Sequence, residues 1–151
     1  MVVIDTDVLL MEFAFQRDPR AKVNHDFMAA VQTRADEPAT TVYNLMELLG
    51  QLSFNLAPAR LDAWPEWLQR AHSLSILWPE APLESPAASF FQAEIFDRPF
   101  TRIRTHRMAF LDSLIVGVAE AGPDVRAFVT WNARHFKGKI RLPVLTPDEY
   151  L

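Results

Sequence analysis

The chain has 151 residues, half of them hydrophobic and 23% charged, with a formal charge of −4 and no cysteine. That length fits one domain, residues 1–151, and can bury roughly 70% of the surface of its unfolded chain. The charge balance excludes a polycation that binds nucleic acid over its whole surface; the cysteine count excludes disulfides, thiolate metal ligands and a cysteine nucleophile.

Read in chain order, "VVID" (2–5) has the run of apolar residues expected of a strand buried on both faces. "DVLLMEFAFQR" is helical in character, and Pro19 opens a second helix to about Arg34. "DEPATT" (36–41) reads as a loop with capping residues. From Thr41 a third helix follows, with Val42, Leu45, Met46, Leu49 and Leu52 as its apolar stripe. "APARLDAWPEWLQRAH" reads as a helix that restarts at Pro65, and "LSILW" (74–78) as the next strand. After the Pro-rich loop "PEAPLESP", Ser85 is placed to cap a helix "PAASFFQAEIF". The basic segment "DRPFTRIRTHR" (97–107) leads into an apolar helix, "MAFLDSLIVGVAEA", closed by Gly122-Pro123. "VRAFVT" is a strand, "NARHF" a turn or short helix, and "LPVLT" the last strand before "PDEYL". Strands that alternate with helices predict an α/β fold with a parallel sheet between helical layers. No basic leader precedes Val2, Glu12 interrupts the first apolar run, and no stretch approaches the ~20 apolar residues of a membrane span. A cytoplasmic location is the expectation.

Acids then stand in unusual places. Asp5 ends the first strand, at the sheet edge where ligands of open α/β folds bind. Asp7 follows two residues later, and one helix cap needs only one acid. Asp112 and Ser113 are the only polar side chains between Met108 and Ala119. At 100° per residue Asp112 shares a side with Met108, Ile115, Val116 and Ala119. An unpaired carboxylate buried there costs several kcal/mol, so it pairs with a base such as Arg107, happens to reach water, or faces a bound cation. Glu47 lies just off the third helix's stripe. Thr130 and Asn132 follow the strand "AFVT", again at a carboxyl end. Hard oxygen donors without cysteine suit Mg²⁺ or Mn²⁺, and such ions serve phosphodiester displacement.

Taken together, these segments resemble PIN domains, specifically the VapC-like toxin ribonucleases of bacterial type II toxin–antitoxin pairs. "VVIDTDVLL" resembles the family's opening strand, with Asp5 as its first acid. The family often has Asn or Ser at Asp7, which leaves Asp7 as a helix cap or an outer acid. "TTVYNLMELLGQL" resembles the helix that presents Glu47, and "FLDSLIVGVAEA" the helix that presents Asp112. "FVTWNARHF" followed by "LPVLTPDEYL" resembles the closing region, with Thr130, Asn132 and Phe136 at its marked positions. Asn stands at 132 where Asp is common. The resemblance implies a three-layer α/β/α fold around a parallel sheet of four or five strands. It also implies Mg²⁺- or Mn²⁺-dependent endoribonuclease activity, a homodimer and a cognate antitoxin. Asp5, Glu47 and Asp112 would hold the metal, Asn132 would join them in catalysis, and Thr130 and Asp7 would support them.

Arg98, Arg102, Arg104 and Arg107 are the local candidates for gripping an RNA backbone. Two other readings compete. "DTD" after a strand also fits a haloacid-dehalogenase-like phosphatase, though Val-Leu-Leu follows instead of Gly-Thr. A catalytically silent PIN-like binding module would have the same fold.

Overall fold

The computed structural model describes residues 1–34, 36–84 and 86–151. Ser85, the cap expected ahead of "PAASFFQAEIF", lies outside the described residues. In chain order the elements are β1 (Val2–Ile4), α1 (Thr6–Phe13), α2 (Ala21–Thr33), β2 (Pro38–Thr41) and α3 (Val42–Leu52). Next come α4 (Pro58–Asp62), α5 (Trp64–His72), β3 (Ser75–Leu77) and α6 (Ala87–Gln92). A π-helical turn (Ala93–Asp97) joins α6 to α7 (Arg98–His106), followed by α8 (Phe110–Ala121), β4 (Ala127–Val129), α9 (Ala133–Phe136), β5 (Val144–Leu145) and α10 (Pro147–Tyr150).

The five strands form one sheet in the order β3-β2-β1-β4-β5, with every pairing parallel. Period-two alternation divides the core between the two faces. Val2, Ile4 and Val129 pack with Val8, Leu9, Phe27, Val31 and Leu48 on one face; Val3, Ala39 and Phe128 pack with Ile115, Val116 and Ala119 on the other. This is the three-layer arrangement expected from the alternation of strands and helices. The chain runs outward from β1 to β2 and β3, then returns to the other side of β1 with β4. The ends of β1 and β4 are therefore the topological switch point, where open α/β sheets bind ligands.

Several expectations change. "DEPATT" is not a loop: Pro38–Thr41 is a fully buried strand between β1 and β3. Pro38 takes the first strand position, where a missing N–H is tolerated. Thr40 is accommodated in the core because its hydroxyl donates to the Ile4 carbonyl at 2.9 Å. The α3 stripe is also rotated. Leu45, Leu48 and Leu52 are buried with Asn44, while Met46 is 60% exposed. The first helix stops at Phe13 instead of continuing to Arg17. The basic segment is helical, continuing α6 through the π turn. Gly122 does end α8, but with φ −66°, so no left-handed conformation is involved. A Cβ there would stand 2.7 Å from Val125 Cγ2, so close packing is what requires glycine.

Candidate metal and phosphodiester site

Strand β1 delivers Asp5 to the switch point as the N-cap of α1. Its main-chain N–H donates to Val129 O at 2.9 Å, which locks it beside β4. The carboxylate is only 8% exposed. Its Oδ1 accepts from Thr6 N at 2.8 Å and from Asn44 Nδ2 at 2.9 Å. Oδ2 accepts no hydrogen bond among the described residues. Burial, and next the charge of Asp7, push the Asp5 carboxyl up to about 8; Glu47 adds a smaller push in the same direction. Glu47 therefore lies within electrostatic reach of Asp5, half-buried on α3.

Asp7 does not cap α1. Its Oδ2 accepts from Thr130 Oγ1 at 3.0 Å and Asn132 N at 3.1 Å, and its Oδ1 from Trp131 N at 3.2 Å. It clamps the turn that leaves β4. Burial raises its proton affinity, and these donors oppose that rise. Thr130 lowers the proton affinity of both acids. Its hydroxyl has one hydrogen to give, and the geometry gives it to Asp7. Asn132 reaches the site through its backbone: that N–H bonds Asp7 and Thr130 Oγ1, while the residue itself is exposed.

Asp112 enters from the opposite helical layer, in the first turn of α8. It is not buried as its apolar neighbours suggested, because that turn opens at the sheet edge; its side chain is 28% exposed. Its partner is not Arg107. His135 Nε2 stands 3.1 Å from Asp112 Oδ2. A carboxylate only accepts, so that contact places a hydrogen on Nε2.

Sequence reasoning missed Asn44, and it gave His135 no role because a lone His near a turn is usually structural. Asn44 is fully buried, and all four of its amide interactions are made. Besides Asp5 it donates to Thr6 Oγ1 at 3.0 Å, and its Oδ1 accepts from Thr41 Oγ1 at 2.7 Å and Thr41 N at 3.3 Å. A signal existed. Thr41-x-x-Asn44 closes a capping box at the start of α3, and that pattern puts residue 44 at the sheet edge, one turn ahead of Glu47.

The donor set of Asp5, Glu47 and Asp112 is all hard oxygen, which suits Mg²⁺ or Mn²⁺. Among the described residues no three acids or histidines are drawn together closely enough to hold an ion. Ionised carboxylates drawn closer would repel one another unless a cation lay between them. The unbonded Oδ2 and the raised proton affinity of Asp5 mark a carboxylate poised to accept positive charge. On these grounds the residues fit a divalent cation.

The arginines divide. Arg98 pairs with Glu94 at 3.1 Å and Arg102 with Glu120 at 3.0 Å. Arg104 and Arg107 are exposed and have no ion pair among the described residues. A cavity of about 500 Å³ is lined by Arg98, Arg102, Lys139 and Arg141 together with Asp97 and Glu120, and by none of the site acids.

No protein-family model and no curated protein matches the chain. Solved structures do. The structure of FitAcB from Neisseria gonorrhoeae superposes with a TM-score of 0.58 at 17% identity, covering 97% of this chain and 98% of that one. FitAB bound to an IR36 DNA fragment superposes with a TM-score of 0.57 at 14% identity, covering 97% and 95%. At such identities the likeness carries the fold. The chain has the PIN-like three-layer α/β/α fold, with an all-parallel five-stranded sheet.

Proposed function

We propose that this protein is a Mg²⁺- or Mn²⁺-dependent endoribonuclease, the toxin of a VapBC-like toxin–antitoxin pair. One observation carries the reading. Asp5 is buried at the switch-point end of β1 beside Asp7 and Glu47, with one carboxylate oxygen that accepts no hydrogen bond among the described residues. Ionised acids set this close repel one another, and a bound cation would offset that cost. The sequence resemblance and the fold shared with FitAcB and FitAB support the toxin role and an antitoxin partner. A homodimer is part of the same reading. Exposed Phe91, Phe96 and Phe100 on the α6–α7 stretch, the last two stacked at 5.6 Å, offer apolar surface for it.

Asp5 through Oδ2, Glu47 and Asp112 would hold the ion. Bound there, it would supply an activated water and neutralise charge on the scissile phosphate. Asn132 would support that cluster, held in place by the Asp7 clamp on its backbone. Arg104 and Arg107, which have no ion pair among the described residues, would attract the RNA backbone. The phosphatase alternative asks for Asp7 as a mobile acid, whereas Asp7 is tied down by three donors.

Labelled RNA and a phosphomonoester, each with Mg²⁺ and with EDTA, test the reading in wild type and Asp112→Asn. RNA cleavage that disappears with EDTA and in Asp112→Asn is expected. Cleavage that persists in either would sink the mechanism. Phosphomonoester turnover without RNA cleavage would favour the phosphatase, and partner binding without either activity the silent module.

A further inference from the structure

We infer that Asn44 is a positioning residue for the divalent-cation site: it selects Oδ2 of Asp5 as the ligand oxygen and locks Asp5 to the helix that carries Glu47. This rests on the cation reading above and adds a residue to it. Asn44 lies 39 positions from Asp5 in the chain, yet its Nδ2 donates to Asp5 Oδ1 at 2.9 Å. Thr6 N donates to the same oxygen at 2.8 Å. Two donors on Oδ1 leave Oδ2 as the oxygen without a hydrogen-bond partner among the described residues. They also fix the rotation of the carboxylate, because Oδ1 cannot leave both donors without exposing buried N–H groups.

The amide orientation follows from the chemistry of its neighbours. The Thr41 main-chain N–H can only donate, and Thr41 Oγ1 stands 2.7 Å away on the same side, so Oδ1 must face Thr41. Nδ2 must then face Asp5 and Thr6 Oγ1, which accept. Thr41 caps α3, and Glu47 stands three residues beyond Asn44 on that helix. One side chain thus ties the end of β1 to the first turn of α3. Any shift of α3 that moves Glu47 also pulls on Asp5.

Outer partners of this kind typically contribute roughly 10- to 100-fold to metal affinity. The direct measurement is Mn²⁺ binding to the protein without RNA, followed by the electron paramagnetic resonance signal of free Mn²⁺. Asn44→Leu keeps the branching of the side chain and removes the donor. Asn44→Ser serves the same purpose if the leucine variant does not fold. Leu68→Ala is the control: it opens a cavity in the core under α5 and removes no partner of Asn44. We expect Asn44→Leu or Asn44→Ser to weaken Mn²⁺ binding by at least about tenfold. Leu68→Ala should lower Tm while it leaves Mn²⁺ binding within about twofold of wild type. Wild-type Mn²⁺ binding that survives both Asn44 substitutions within twofold would overturn this inference alone. A wild type that binds no Mn²⁺ would overturn it together with the cation reading.

Discussion

Asp5 and Asp112, the two acids proposed to flank one cation from opposite helical layers, are built differently. Asp5 sits at 8% exposure with its Oδ1 saturated by Thr6 and Asn44. Asp112 has 28% of its side chain exposed and, among the described residues, one side-chain hydrogen-bond partner, His135. The residues around Asp112 in sequence are the more apolar, yet the cost of burial falls on Asp5. Depth depends on where the chain leaves the sheet. Asp5 follows a central strand flanked by β2 and β4, whereas Asp112 sits in the first turn of a helix that opens toward solvent. One acid is a fixed post; the other can adjust.

The largest expected effect bears on what the two acids share. Asp5→Asn and Asp112→Asn should each lower RNA cleavage by more than about 100-fold, beyond the usual cost of losing an outer-shell partner. Single-turnover rates in Mg²⁺ measure this, and a small loss in either variant would remove that acid from the chemistry. The next effect separates the two acids. The Asp5 carboxyl stands at about 8 in the folded protein against an ordinary value of 3.8. The folded state therefore holds this proton more tightly than the unfolded state does. Its contribution to stability is complete below the ordinary value and is lost as pH rises through about 8. Without divalent cation, Tm of the wild type should fall between about pH 4 and pH 8 relative to Asp5→Asn. Parallel profiles would place the burial cost elsewhere. Smaller again is Thr130→Val, which removes one of Asp7's three donors and should destabilise by about 1–3 kcal/mol in urea unfolding.

Legibility in the sequence follows the same divide between local and distant causes. "VVID", "FLDSLIVGVAEA" and "AFVT" declare themselves because their burial is written in consecutive residues. Strand β2 does not. "PATT" carries neither alternation nor a β-branched apolar run, and it is a strand because β1 and β3 flank it. Leu48 and Met46 are equally apolar in the sequence, and only packing decides that Leu48 is buried. Asp5, Glu47 and Asp112 were visible as acids in odd company. Asn44 was not, since an amide in a helix attracts no notice until its partner 39 residues away is known. Asp7 was visible but left open as a cap or an outer acid: the cap of α1 is Asp5, and the donors that hold Asp7 come from the turn after β4, more than 120 positions along the chain.

The smallest effect is also the sharpest test of the asymmetry. His135 and Asp112 are 34% and 28% exposed, and their contact lies at the open edge of the sheet. Pairs so placed contribute at most about 1 kcal/mol, because water solvates each partner nearly as well once the other is gone. His135→Gln should therefore change the unfolding free energy by less than about 1 kcal/mol, measured in urea at neutral pH without divalent cation. A cost of 2 kcal/mol or more, roughly that of leaving a buried partner unsatisfied, would mean that Asp112 is held as tightly as Asp5. The site would then have two fixed posts, and the free movement argued for Asp112 would be wrong.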